Sequence, residues 1–162
     1  MDEPVTVMIE QLPHAAGLPL PSYATPGSAG LDLLAAVEEP LTLAPGERTI
    51  VPTGIRIAVP SGYEAQVRAR SGIALRCGLG LPNSPGTIDS DYRGEVGVLL
   101  INWSNESQTI RRGDRIAQLV VAPVARVQWE PCDRLPPSER GRGGFGHSGV
   151  QYPCPPETGG VP

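Results

Sequence analysis

The stretch Gly86-Thr87-Ile88-Asp89-Ser90-Asp91-Tyr92-Arg93-Gly94-Glu95 sets three of its carboxylates, an arginine and a phenol in the space between two glycines and the residue that follows. Directly after it comes the unbroken apolar run Val96-Gly97-Val98-Leu99-Leu100-Ile101, which reads as a buried strand. In front of it, Asn83-Ser84-Pro85-Gly86 is turn chemistry, with proline presetting φ and glycine free to take φ > 0. Gly80 to Leu100 therefore reads as a hairpin with charged groups near its bend, anchored from behind and open to a ligand in front. A lone Asp-x-Asp at such a bend is most often a solvated turn, so the rest of the chain has to decide.

Working outward, 162 residues suit one domain with a sizeable core. Aromatics make up only 4%, so that core rests on Val, Ile, Leu and Ala. Nineteen prolines and twenty glycines leave no long interval free of helix breakers, which predicts many short strands joined by turns. The net charge of -4 offers no global basic surface of the kind nucleic-acid binders use, so a polyanionic ligand has to be held locally. The three cysteines, Cys77, Cys132 and Cys154, are odd in number and lack C-x-x-C spacing, which suggests neither a disulfide framework nor a structural zinc site and fits a reducing cytoplasm. Met1-Asp2-Glu3-Pro4 does not open a secretory leader, and no stretch approaches membrane-spanning length.

In chain order, Val5 to Ile9 reads as a first strand and Pro13 to Pro26 as a breaker-rich loop, with His14 a loop residue. Asp32 then stands inside the apolar run Leu31 to Ala36, an expensive place for a charge unless it faces a site or a partner. Strands follow at Leu41–Leu43, Arg48–Val51 and Ile55–Val59. Tyr63 to Arg70 alternates strictly, with Tyr, Ala, Val and Ala on one face. Ser71 to Cys77, ending at Gly78, is the one plausible helix. Beyond the hairpin come strands at Val96–Trp103, Gln108–Arg111 and Arg115–Val124, the last with Gln118 in its apolar middle. Residues 1–130 are thus expected to form an all-β domain, an antiparallel barrel or jelly roll. Pro131 to Pro162 holds seven prolines and seven glycines and no apolar run, so it reads as an extended arm over 131–149 and a disordered tail over 150–162.

Two further clusters carry donors for an anion. Arg140-Gly141-Arg142-Gly143-Gly144-Phe145-Gly146 combines convergent backbone N–H groups, guanidinium forks and one aromatic face, without the Walker pattern; a disordered Arg-Gly linker is the bland alternative. Arg70-Ser71-Gly72 offers a guanidinium, a hydroxyl and accessible amides, against the alternative of a plain strand end and turn.

Five such pieces occur together and in one order, and as a set the chain resembles the trimeric deoxyuridine triphosphate nucleotidohydrolases, the dUTPases. The motifs are Ala29-Gly30-Leu31-Asp32-Leu33, Arg70-Ser71-Gly72-Ile73-Ala74, Gly86 to Gly94, Gly113-Asp114-Arg115-Ile116-Ala117-Gln118, and Arg140 to Gly146, within a likeness running from about Val5 to Gly149. Leu31 and Leu34 stand where that family often has Tyr. The resemblance implies a jelly-roll-like β-clip fold, a homotrimer with shared active sites, and a flexible C-terminal arm. It also implies hydrolysis of dUTP to dUMP and pyrophosphate, which lowers dUTP and supplies dUMP for thymidylate synthesis. Asp89 would activate an in-line water for attack on the α-phosphorus. Mg²⁺ would arrive with the phosphates, Asp32 reaching it through water, while Arg70, Ser71, Gly72, Gln118 and Arg140 bind phosphate. Asn83, Gly86, Thr87 and Ile88 would read uracil through backbone groups, and Tyr92 would exclude a ribose hydroxyl by shape. Phe145 and Gly146 would close over the base.

Two other readings compete. A dCTP deaminase shares the fold and the trimer, but usually carries Arg-Ser-Ser where this chain has Arg70-Ser71-Gly72, and lacks the Gly-Gly-Phe arm. A non-catalytic nucleotide-sensing or protein-binding module would be favoured by loss of Asp89, Tyr92 or the arm, and all are present.

Overall fold

A computed structural model describes residues 4–144, 147 and 149. The chain divides into two units, Met1–Arg126 and Val127–Pro162. The first unit contains β1 (Met8–Gln11), β2 (Leu31–Leu34), β3 (Leu41–Leu43), β4 (Arg48–Ala58), β5 (Tyr63–Arg68), α1 (Ser71–Cys77), β6 (Leu79–Gly80), β7 (Gly86–Ile88), β8 (Glu95–Asn102), β9 (Gln108–Ile110) and β10 (Arg115–Pro123). One sheet has the order β1-β4-β8-β6 and a second β2-β10-β5-β7, with β3 and β9 as a separate ribbon. Every pairing is antiparallel. Val51, Val96, Val98 and Leu100 from the first sheet and Leu33, Val67 and Leu119 from the second share one buried cluster. The result is the all-β, jelly-roll-like architecture expected from the density of breakers. No described helix is long and apolar enough to cross a membrane.

Local sequence explains most of the elements. In β5 the alternation buries Ala65 and Val67 and leaves Arg68 exposed. The helix α1 spans the expected residues and ends at Gly78, whose φ of 63° is the left-handed conformation that closes a helix without a Cβ penalty. Asn102 is fully buried, yet its amide donates to the carbonyls of Leu43 and Glu106 and accepts from Ser104, so the residue strengthens the β8 end instead of weakening it.

Four local expectations are corrected. The Gly80–Leu100 segment is not a hairpin: β6 pairs with β8, whereas β7 pairs with β5 in the other sheet, so the Asn83–Gly86 turn carries the chain between sheets. Turn residues specify a reversal, but the pairing partner is chosen by burial, and Gly86 and Ile88 are buried against β5. The first strand starts at Met8, since its partner on β4 begins opposite that residue with Ala58. The two strands expected over 48–59 are one strand, because the chain crosses Pro52 and Gly54 (φ 66°) by shifting register against β8. Strand β5 stops at Arg68, short of Arg70, although Arg70 keeps an extended backbone.

Candidate active site

Neighbouring rungs of the second sheet assemble one cluster. Gln118 on β10 lies opposite Asp32 on β2 and Arg68 on β5. The Asp32 carboxylate is held by Arg70 Nε at 2.9 Å and Arg115 Nε at 3.4 Å. This answers the question posed by a charge in an apolar run: Asp32 is paired twice. Two guanidiniums against one carboxylate leave a net positive charge, which suits an anionic ligand. Gln118 donates from Nε2 to the carbonyl of Ala69 at 2.9 Å, and its side chain crosses Gly30, where a Cβ would collide with Oε1. Arg70 also donates to the carbonyl of Arg115 at 3.2 Å. Behind it, Ser71 and Gly72 open the first turn of α1, whose N–H groups have no intrahelical partner. Gly30, Asp32, Arg70, Ser71, Gly72 and Gln118 line a common cavity of about 360 Å³.

A second cluster forms around β7. This three-residue strand lies at one edge of its sheet, so one row of its N–H and C=O groups has no described strand beside it. Gly86 lies against Val67 and the Asn83 amide, where a Cβ would come within 3.0 Å of Asn83 Nδ2. Ile88 is buried while Thr87 and Asp89 face outward. Tyr92 donates its backbone N–H to the carbonyl of Asp89 at 3.1 Å and its hydroxyl to the carbonyl of Glu95 at 3.0 Å. Its ring folds over Gly94, where a Cβ would meet the Tyr92 ring and displace it. Thr87, Asp89 and Tyr92 line a cavity of about 160 Å³.

These two clusters are not brought together within the chain. Ile88 pairs with Ala65, which places Asp89 level with Glu64. Arg70 lies six residues further along the same strand direction, about 20 Å away at the rise of an extended chain. In the second unit, Arg140 donates to the carbonyls of Gly143 at 2.8 Å and Gly144 at 3.4 Å, folding over its own turn. Phe145 and Gly146 lie outside the described residues.

Two features had no signal in spacing alone. Arg115 has no assigned role in the sequence, although it stands inside a recognised motif; its partner Asp32 is supplied by register. The pair formed by His14 and Glu95, 81 positions apart, is visible only once the sheets are assembled. No group of three or more His, Cys, Asp or Glu side chains able to hold a metal occurs among the described residues.

The dUTPase family model matches residues 16–149. The chain belongs to the dUTPase family. It is 56% identical over 152 residues to the deoxyuridine 5'-triphosphate nucleotidohydrolase of Methylocella silvestris, covering 93% of this chain and 95% of that one. The fold is similar to a mutant dUTPase of Staphylococcus bacteriophage 80alpha solved with dUpNHpp, at TM-score 0.80 and 26% identity over 90% of this chain and 99% of the other. A mutant dUTPase of phage phi11 of S. aureus, described with a structural Mg(II) ion, is similar in fold at TM-score 0.72 and 22% identity, covering 80% of this chain and 98% of its own. Within this dUTPase family member the first, second and fourth motifs form the cationic cluster, and the third motif forms the edge-strand cluster.

Proposed function

We propose that the chain hydrolyses dUTP to dUMP and pyrophosphate, in active sites completed between copies of itself. The observation that carries this reading is an edge strand ending in an exposed carboxylate, Asp89, beside a phenol held over Gly94. Main-chain N–H and C=O groups on the outer side of β7 would donate to and accept from a pyrimidine edge, and Asn83 stands at the turn that leads into them. Gly86, Thr87 and Ile88 contribute backbone, so a base is read without side-chain rearrangement. Tyr92, held at both its N–H and its hydroxyl, gives a fixed wall against which a 2′-hydroxyl collides.

Chemistry at the α-phosphorus needs a proton acceptor for water and positive charge for the leaving pyrophosphate. Asp89, whose side chain is exposed, takes the proton from an in-line water. Arg70, Ser71, the amides of Gly72, and Gln118 receive the phosphates, and Arg140 with Phe145 and Gly146 closes the site from the arm. A magnesium ion typically keeps several waters and is held by one or two carboxylates together with substrate phosphates. The single carboxylate of Asp32, already flanked by Arg70 and Arg115, fits contact through water. When bound, Mg²⁺ would offset charge on the phosphates.

Asp89 and Arg70 are too far apart for one chain to place both on one triphosphate. A cyclic homotrimer supplies the missing half from a neighbour, and three equivalent sites follow from the symmetry. The free thiols Cys77 and Cys132 fit a reducing cytoplasm. The test is pyrophosphate release from dUTP, dTTP, dCTP and UTP side by side. Turnover of dUTP far above the other three supports the reading; equal turnover of dCTP or dTTP overturns it.

A further inference from the structure

His14 belongs to none of the five motifs, yet it reaches Glu95, the residue that directly follows the third. It sits on a short 3-10 turn, Pro13–Ala15, and its Nε2 is 2.9 Å from Glu95 Oε1. The same carboxylate oxygen accepts the N–H of Gly54 at 2.7 Å. Gly54 is the positive-φ residue at which β4 shifts register, and its carbonyl accepts the N–H of Leu12 at 2.8 Å. A Cβ at Gly54 would collide with Ala15, so the turn and the bulge interlock without space between them. Arg112 fastens the turn from the far side, donating to the carbonyls of His14 at 2.8 Å and Ala16 at 2.9 Å.

Glu95 is thus gripped at its side chain by His14 and Gly54, while its main-chain carbonyl accepts the Tyr92 hydroxyl. Tyr92 is 43% exposed and stands on a turn with little packing of its own. Exclusion of a hydroxyl by shape works only if the wall cannot retreat by about 1 Å, a displacement large enough to alter rates strongly at a site. The start of the Asp89–Glu95 segment is held by the β7–β5 pairing; its end is held at Glu95, by the main-chain pairing with Arg56 on β4 and by the side-chain bonds to His14 and Gly54.

We propose that His14 is a positioning residue for sugar selection: through Glu95 it fixes where the Tyr92 ring stands and so sets how strongly a ribonucleotide is refused. The inference rests on the dUTP reading above. A single hydrogen bond contributes little net stability, so the competing role for His14, half-buried against Glu95, is a simple staple of the N-terminal turn. The two roles differ in what they change.

The full chain, as wild type, His14→Ala, His14→Gln and Tyr92→Ala, and the double variant His14→Ala with Tyr92→Ala, is assayed for pyrophosphate release from dUTP and from UTP, alongside thermal melting. His14→Ala raises the ratio of kcat/KM for UTP over dUTP by roughly two- to tenfold, the range of one hydrogen bond. His14→Gln, whose amide can donate to the same oxygen, brings the ratio back toward wild type. In the Tyr92→Ala background, adding His14→Ala leaves the ratio where it was, because no ring remains to be positioned. Should His14→Ala not fold, His14→Leu keeps the bulk without the donor and reads the same ratio. A lowered melting temperature with an unchanged ratio overturns the proposal, as does an additive effect in the double variant. Absence of dUTP turnover in the wild type would instead overturn the function itself.

Discussion

Asp89 and Tyr92 are three residues apart and on the proposed reading carry different jobs, which single substitutions should separate. Asp89→Asn keeps size and loses the proton acceptor, so dUTP binding should persist while kcat falls by about 10²–10⁴-fold, the range of a general base. Binding followed by fluorescence or calorimetry, with single-turnover pyrophosphate release, checks both halves; wild-type turnover would remove Asp89 from the base role. Tyr92→Ala should act on UTP more than on dUTP, because it opens space beside the sugar and leaves β7 in place. If UTP stays as poor a substrate as before, ribose is refused elsewhere. At this scale the sequence was informative wherever a residue broke its own context: Asp32 in an apolar run and Gln118 in an apolar strand both line the cationic cavity. It was silent on Arg115 and on His14, because their partners lie far away in the chain and are brought near only by register.

Elements were legible to the extent that local chemistry determines them. The seven residues of α1 and their Gly78 terminus follow from propensity and capping, and β5 follows from its alternation. The 80–100 segment was not legible, since a turn signal looks the same whether the strands beside it pair with each other or with two different sheets. The bulge at Gly54 was hidden for a similar reason: Pro52 reads as a strand end, and only the neighbouring strands show that the chain continues through it. For the arm, the expectation is argued from composition. Cutting the chain after Leu135 removes no apolar run, so melting temperature and size-exclusion elution should stay near wild type while pyrophosphate release falls sharply with loss of Arg140 and the residues after it. Dissociation of the truncated protein would mean that the arm is a strap between subunits, and full activity would mean that it is a passive linker.

The whole molecule is where the separation of Asp89 from Arg70 has its effect. An Asp89→Asn chain and an Arg70→Ala chain, each inactive alone, should regain activity when unfolded and refolded together, with about one site in four receiving a sound residue from each of two chains under random assortment. Mixing that restores nothing would place both groups in one chain after all and contradict the spacing along β5. The outermost position of β7 has a different kind of consequence. A base selected by main-chain amides is selected by atoms that every amino acid possesses, so Thr87, which faces outward, is free to drift: Thr87→Val or Thr87→Ser should leave the preference for uracil over thymine and cytosine intact. On the proposed reading, base choice is buffered against most point mutations along β7 and is exposed to change only at residues such as Gly86 that shape the strand's path.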